Sequence, residues 1–387
     1  MPADVAASTT PYWRNNRFAL PVSAFFQSVG FSLSNPFLPL VLREMGVTGN
    51  LETWVGYLIG VYFALSFSLT PLWGAVADHY GRKMMVLRTS IGMGLIYALL
   101  PFTPSLTWFV IAFLLLATTN GLIPSCQALM ATTTPAKMLP SSLALLQTGA
   151  LVGGTLGPAV GAVLAGWLPA YRDLFWIASG ATLTAGLVAL VFAREQFERP
   201  EGKLELHPVR DVGMMLRLPG IPALLAIFLT YQLTYNGSVP VVSVYTLHLL
   251  EAAGMHEAQQ INWWVGTISL ALPVGSALAV PLWGRLLDRF GPAKLLPLCI
   301  GSGAMGVLLL VTVFSPLQLA IARLALGMMA VGIGPAAIAL VKGRAPAGME
   351  SRVLAVMTGC GMLGMGAGPF LAGVIGPFLG LRAYFLL

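Results

Sequence analysis

The sequence predicts an all-α membrane protein that crosses the bilayer many times and consists of two pseudo-symmetric halves of six helices. Three observations carry that reading. The first is composition: of 387 residues, 57% are hydrophobic and only 9% charged, with a mean hydropathy of +0.82. A soluble domain carries about 25% charged residues. The second is segmentation. Apolar stretches long enough to span the hydrocarbon core, about 20 residues each, fall at 18–42, 53–77, 84–103, 106–130, 141–167, 174–193, 219–247, 262–284, 293–314, 316–340 and 353–379. The third is an internal repeat. Pro71-Leu-Trp-Gly-Ala-Val-Ala-Asp78-His-Tyr-Gly81-Arg82-Lys83 returns as Pro281-Leu-Trp-Gly-Arg-Leu-Leu-Asp288-Arg-Phe-Gly291-Pro-Ala-Lys294, so that Pro71, Gly74, Asp78 and Gly81 recur 210 positions later. A half-chain period signals duplication of a large unit, and parallel halves related by an axis along the membrane normal are a known plan for secondary transporters.

Charge placement sets the topology. With the N-terminus in the cytoplasm, 17 of the 21 Lys and Arg residues fall on the cytoplasmic side and three (Arg43, Arg172, Arg382) on the outer side, leaving Arg323 alone deep inside a span, away from either end. That is the positive-inside rule, so the net charge of +7 is topological and not a nucleic-acid footprint. The polar N-terminus is short and the first apolar span outruns a signal-peptide core, so the first helix is expected to be retained. The three cysteines (Cys126, Cys299, Cys360) lie within apolar spans without ligand spacing and read as small core residues.

In chain order, the first span carries Gln27, Ser28, Ser32, Ser34 and Asn35 ahead of Pro36 and Pro39. A polar stripe with prolines is unfavourable against lipid and is expected to face inward and to bend. The second and eighth spans run into the Asp78 and Asp288 repeats, read as short polar loops. The fourth span contributes Asn120 and Gln127. The fifth carries Gly149, Gly153, Gly157, Pro158 and Gly161, and the eleventh, 211 positions on, carries Gly361, Gly364, Gly368, Pro369 and Gly373. Glycines every four residues make a groove for close helix contact. The seventh span repeats the design of the first, with Tyr231, Gln232, Tyr235, Asn236 and Pro240. Gln27, Asn35, Asn120, Gln127, Tyr231, Gln232, Tyr235, Asn236 and Arg323 are therefore the expected lining of a substrate cavity. Arg323 lies about 10 Å inside the outer end at the helical rise of 1.5 Å per residue. A charge at that depth must face water, a partner or a ligand. Residues 1–193 form the expected N-terminal half, 194–217 a cytoplasmic linker, and 218–387 the second half. In the last of these, Gly380-Leu-Arg-Ala-Tyr-Phe-Leu-Leu387 reads as a twelfth helix cut short.

The Gly-x-x-x-Asp-x-x-Gly-Arg-Lys stretch resembles the loop 2–3 motif of the major facilitator superfamily. Within it, Asn35-Pro-Phe-Leu-Pro-Leu40, Leu87-Arg-Thr-Ser-Ile-Gly-Met-Gly94 and Ala128-Leu-Met-Ala131 are similar to the MdtG-like multidrug exporters of the drug:proton antiporter type. The resemblance implies a major facilitator fold, alternating-access export in exchange for protons, and no cofactor. It also implies a conformational latch at Gly74, Asp78, Gly81, Arg82 and Lys83, repeated at Asp288 and Arg289, in which a carboxylate meets a helix N-terminus at a gain of up to ~1–2 kcal/mol. Gly153, Gly157, Pro158 and Gly161, echoed by Gly364, Gly368 and Pro369, resemble the antiporter motif. Ala322-Arg323-Leu-Ala-Leu-Gly327 fits the Arg-x-x-x-Gly pattern of proton-driven relatives, whereas the fourth span has Phe113 in that region. A monomer in a bacterial cytoplasmic membrane, binding small molecules and lipid but no nucleic acid or metal, completes the expectation.

The acidic residues depart from that pattern. All 14 lie in loops, tails or span ends, whereas proton carriers are usually intramembrane carboxylates. Glu44, Glu52, His248 and Asp78 are the available substitutes. No Gly-x-x-x-x-Gly-Lys-[Ser/Thr] loop supports ATP-driven pumping, and the scattered histidines and acids make no catalytic cluster. A lone buried arginine favours an anionic or zwitterionic cargo. A facilitator or importer of the same fold shares every one of these motifs.

Overall fold

The computed structural model describes residues 13–135, 137–196, 220–344 and 350–379, and the side chain of Asp78 is among the few it leaves undescribed within them. The linker from 197 onward and the start of a twelfth helix at 380–387 lie outside the described residues. Every long helix falls on an expected span. α1 (Trp13–Ser34), a 3-10 turn (Asn35–Phe37) and α2 (Leu38–Glu44) make the first span. Next come α3 (Leu51–Tyr80), α4 (Arg82–Leu99), α5 (Leu106–Thr119) with α6 (Leu122–Thr133), α7 (Leu139–Ala165) and α8 (Leu174–Phe192). The series continues with α9 (Ile221–Ala252), α10 (Ala258–Phe290), α11 (Pro292–Val311), α12 (Pro316–Ala330) with α13 (Ile333–Arg344), and α14 (Glu350–Leu379). Among the described residues, nine helical segments are long and apolar enough to cross a membrane. α9 is outside that set although it is 32 residues long, because the Tyr231–Asn236 stripe lowers its hydropathy.

The bend expected in the first span is present. Pro39 lacks the N–H that would bond the carbonyl of Asn35, and its ring crowds that carbonyl. The chain passes through the 3-10 turn there. The repeat stretches differ from the expectation of polar loops. α3 continues through Asp78 to Tyr80, and α10 through Asp288 to Phe290, so only Gly81 and Gly291 separate helices. Both glycines take positive φ, +94° and +79°, the region that disfavours side chains. Their N–H groups close the last helical turn onto Ala77 and Leu287.

By packing, the described residues form two compact units, one of 13–46 and 68–196, the other of 47–67 and 220–379. α3 is shared, its residues through Phe67 joining the second unit. In the first unit α1 lies along α7 and α8, and α4 packs on α8. A Cβ added at Gly153 would collide with the Phe25 carbonyl, one at Gly157 with the Ser32 hydroxyl, and one at Gly161 with the Leu33 carbonyl, so α7 rides on the α1 backbone. Buried Ser23 donates to Ala185 O at 2.7 Å and Ser179 to Gly94 O at 2.8 Å, satisfying hydroxyls between helices where lipid offers no partner.

In the second unit α9 packs along α14, and α12 along α10 and α11. The same device recurs. A Cβ at Gly364 would stand 2.5 Å from the Gln232 side chain, and one at Gly368 would strike the Leu233 carbonyl. Pro158 and Pro369 are buried inside their helices, and α7 and α14 run through them unbroken. Cys126 and Cys299 are fully buried free thiols.

Candidate functional site

Two helices break where no break was expected. α5 and α6 are divided at Asn120–Gly121, and α12 and α13 at Val331–Gly332, 211 positions later. Each break has the same cause. Pro124 and Pro335, also 211 apart, remove the N–H that would reach the carbonyls of Asn120 and Val331, and their rings crowd those carbonyls. Gly121 then takes φ +116°. These proline and glycine pairs are the sequence signal that would have located both breaks.

A broken helix inside a membrane strands carbonyls that must find donors. In the first unit Arg88 supplies them, donating from Nη1 to Thr118 O and from Nη2 to Asn120 O at 3.2 Å. Its guanidinium lies 3.8 Å over the Trp73 ring. In the second unit the donors are Trp283, whose Nε1 reaches Met328 O at 2.9 Å, and Ser302, whose hydroxyl reaches Met329 O at 2.9 Å. Arg88, counted by sequence among the topology-setting charges, is therefore part of α4 and of the helix break.

Of the expected cavity residues, the structure brings together Tyr231, Tyr235 and Arg323, all in the second unit. The rings of Tyr231 and Tyr235 lie 5.6 Å apart, with Phe228 6.3 Å from Tyr231. The Tyr235 hydroxyl is within hydrogen-bonding reach of Ser276 and within electrostatic reach of Arg323. Ser276 also donates to Gly327 O at 3.3 Å. Arg323, on α12 between the break and the start of the helix, is 7% exposed, and among the described residues its Nε has no hydrogen-bond partner. A buried donor left unmet costs about 1–3 kcal/mol, more when charged. Gln232 packs on the glycines of α14, and Asn236 donates to Gln232 O at 2.9 Å.

The remaining cavity candidates lie in the first unit. Gln27 is buried between α1 and α4, with Nε2 3.0 Å from the Met93 sulfur and Oε1 without a partner. Asn35 sits in the 3-10 turn. Asn120 uses Oδ1 to accept from the Gly121 N–H at 2.8 Å. Gln127 is half-buried on α6.

At the repeat, while the side chain of Asp78 lies outside what is described, the N-terminus of α4 is met by Glu195. Its oxygens accept from the backbone N–H groups of Arg82 at 3.0 Å and Lys83 at 2.7 Å, the start of α4. Lys83 Nζ donates to Leu190 O and Ala193 O at the end of α8. Each helix end thus receives the charge its dipole favours. Sequence reading assigned Glu195 to the linker. Buried Asn16 ties the same end together, donating to Thr133 Oγ1 and Arg194 O and accepting from Arg194 N. Gly74 faces open space. Asp288 and Arg289 are exposed, with Arg289 stacked beside Phe290. The far end of the first unit has a third such contact, Glu44 accepting from the backbone N–H groups of Tyr171 and Arg172.

The model of the Major Facilitator Superfamily matches residues 21–256 and 252–387. The chain belongs to that superfamily. This major facilitator protein is 32% identical to the multidrug resistance protein MdtG of Escherichia fergusonii over 379 residues, 97% of this chain and 91% of the relative. MdtG of Escherichia coli matches to the same extent. Among solved structures, it is similar to a bacterial homologue of the human lysosomal transporter Spinster, with a TM-score of 0.76 at 16% identity, covering 96% of this chain and 84% of that one. It is also similar to the human organic anion transporter MFSD10 (TETRAN), with a TM-score of 0.69 at 20% identity, covering 97% and 96%. As a major facilitator protein the chain is an integral, multi-span membrane transporter and not an enzyme.

Proposed function

We propose that this chain exports small amphipathic anions from the cytoplasm by alternating access. The observation that carries this reading is Arg323, buried in the second unit with Nε unpartnered among the described residues, within electrostatic reach of Tyr235, whose hydroxyl is in reach of Ser276 and whose ring pairs with Tyr231. A guanidinium presents a planar fork of donors suited to carboxylate, sulfonate or phosphonate oxygens, and the tyrosine rings offer apolar faces to the rest of the molecule. A bulky cation would need an acid there, and this sequence places its acids at helix ends and in loops. Export is the direction supported by the relatives, which are named multidrug resistance proteins. Exchange for protons across a bacterial cytoplasmic membrane, with the N-terminus inside and the carrier a monomer, is the energy source and setting that the sequence resemblance favours. In this reading Asp78, with Arg82 and Lys83, biases the conformational equilibrium at the cytoplasmic end.

The experiment is substrate-stimulated transport in proteoliposomes with aryl sulfonates and carboxylates beside organic cations. Anion transport that R323Q loses by at least tenfold supports the reading. Equal transport of anions by R323Q overturns it. An importer or facilitator is the second reading, favoured by the likeness to a D-xylose–proton symporter structure (TM-score 0.69) and separated from export by the direction of flux.

A further inference from the structure

We propose that the membrane potential drives export through Arg323: the anion and the guanidinium cross as a neutral pair, and the empty site returns carrying its positive charge. This rests on the anion reading above and replaces proton exchange with the membrane potential as the source of energy.

The polar group that acts on the Arg323 guanidinium electrostatically is the neutral hydroxyl of Tyr235, itself within reach of the Ser276 hydroxyl. The helices packed against α12 are α10 and α11, with a smaller contact from α9. Their ionisable groups lie toward the helix ends: Arg285, Asp288 and Arg289 in the last six residues of α10, Lys294 at the start of α11, and His248 and Glu251 at the end of α9. The middle of each of these helices carries no fixed negative charge. The counter-charge to Arg323 is then the ligand itself.

Charge bookkeeping follows. With a monoanion bound the site is neutral, and occluding it away from water requires no bare ion. Without ligand the site holds one positive charge in a low-dielectric interior. A potential negative on the cytoplasmic side pulls that charge inward, which is the resetting direction for an exporter. One negative charge leaves per cycle, so 100 mV supports a concentration ratio of about 50-fold for a monoanion. No proton is required, which accounts for a transporter whose spans hold an arginine and no mid-span acid.

The scheme places the voltage dependence in one step. Return of the empty site feels the potential, whereas crossing of the loaded, neutral site does not. Net flux is therefore voltage-sensitive, and anion-for-anion exchange is not.

The test uses the full chain in proteoliposomes with radiolabelled 2-naphthalenesulfonate, a potassium–valinomycin potential, equal pH on both faces and an internal pH dye. Expected is a several-fold rise in net transport on making the cytoplasmic face negative, labelled exchange unchanged within about twofold, and no dye response. R323K keeps this behaviour. R323Q loses net flux and exchange alike by at least tenfold. If net flux ignores the potential and requires a pH gradient with counterflow of protons, the potential-driven scheme is overturned and the anion site stands. Exchange as voltage-sensitive as net flux in the unsubstituted protein also overturns it. Failure to carry the sulfonate, whether or not ethidium is carried, overturns the anion site and the scheme together. Should R323Q fail to fold, the unsubstituted and R323K arms still decide.

Discussion

Trp73 and Trp283 stand 210 positions apart at the break of a transmembrane helix in their respective units, and they treat that break differently. Trp283 donates its indole N–H to Met328 O. In the first unit Arg88, which rests on the face of the Trp73 ring, takes Thr118 O and Asn120 O instead. Trp73 Nε1 is itself buried without a partner. One structural problem, the carbonyls stranded where a helix breaks ahead of Pro124 or Pro335, has thus received two solutions since the duplication.

The two caps should differ in what their loss does. W283F removes one neutral hydrogen bond and should destabilise by about 1 kcal/mol. R88L removes donors to two carbonyls and a cation–π contact, leaving both acceptors unmet, and should cost about 3 kcal/mol or more. W73F keeps an aromatic face under Arg88 and deletes an unpartnered N–H, so it should be close to neutral. Thermal unfolding of the purified protein in detergent should rank the midpoints W73F, W283F, R88L from highest to lowest. A midpoint for R88L at or above that of W283F would remove Arg88 from the role of cap.

The glycine groove predicts opposite signs for neighbouring positions. In G157A a methyl group meets the Ser32 hydroxyl and the α1 backbone, and overpacking of this kind costs about 1–3 kcal/mol. Gly154, on the same helix, has nothing within reach of an added Cβ. G154A should be neutral or stabilising by up to about 1 kcal/mol, through helix propensity alone. Measuring both variants side by side separates groove contact from a general intolerance of α7 to substitution.

These contrasts show what was legible in the sequence. Apolar length and the half-chain repeat located every long described helix, and glycines at intervals of four lie where α7 meets α1 and α14 meets α9, because both signals are periodic and local. The breaks were not read, since Pro124 and Pro335 lie three residues past them, inside stretches as apolar as their surroundings. Glu195 was missed for a related reason. Its partners are backbone N–H groups at Arg82 and Lys83, and no side-chain pattern reports a bond to the backbone across 112 residues. Gln27 and Tyr235 look alike as polar residues on polar helices, yet Gln27 faces Met93 and Tyr235 faces Ser276 and Arg323. Helical spacing gives the face of a helix without naming its neighbour.

Glu195 gives a third prediction. E195A leaves the first N–H groups of α4 without an acceptor and should destabilise by about 1–2 kcal/mol, the scale of a carboxylate at a helix N-terminus. E195Q, which keeps one acceptor oxygen, should recover about half. The Lys83 ammonium bonds carbonyls at the end of α8, whereas Glu195 is held by backbone N–H groups, so K83M and E195A should combine nearly additively. A coupling above about 1 kcal/mol in a double-mutant cycle would show that the two side chains act as an ion pair instead.

Arg323 separates function from stability more sharply than any other position. A guanidinium buried with Nε unmet is a burden on the folded state, and replacing buried charge by a well-packed apolar side chain is often stabilising by about 1–4 kcal/mol. R323M should therefore raise the unfolding midpoint in detergent while abolishing anion transport. If Arg323 served only to hold α12 against α9 and α10 through Tyr235 and Ser276, the same substitution would lower the midpoint and leave residual transport in proportion to the folded protein. Adding 2-naphthalenesulfonate supplies the second half of the measurement. A ligand that binds the folded state alone raises the midpoint as its concentration passes its dissociation constant. That rise should appear in the unsubstituted protein, persist in R323K and vanish in R323M. A ligand-induced rise that survives in R323M would place the anion elsewhere in the protein.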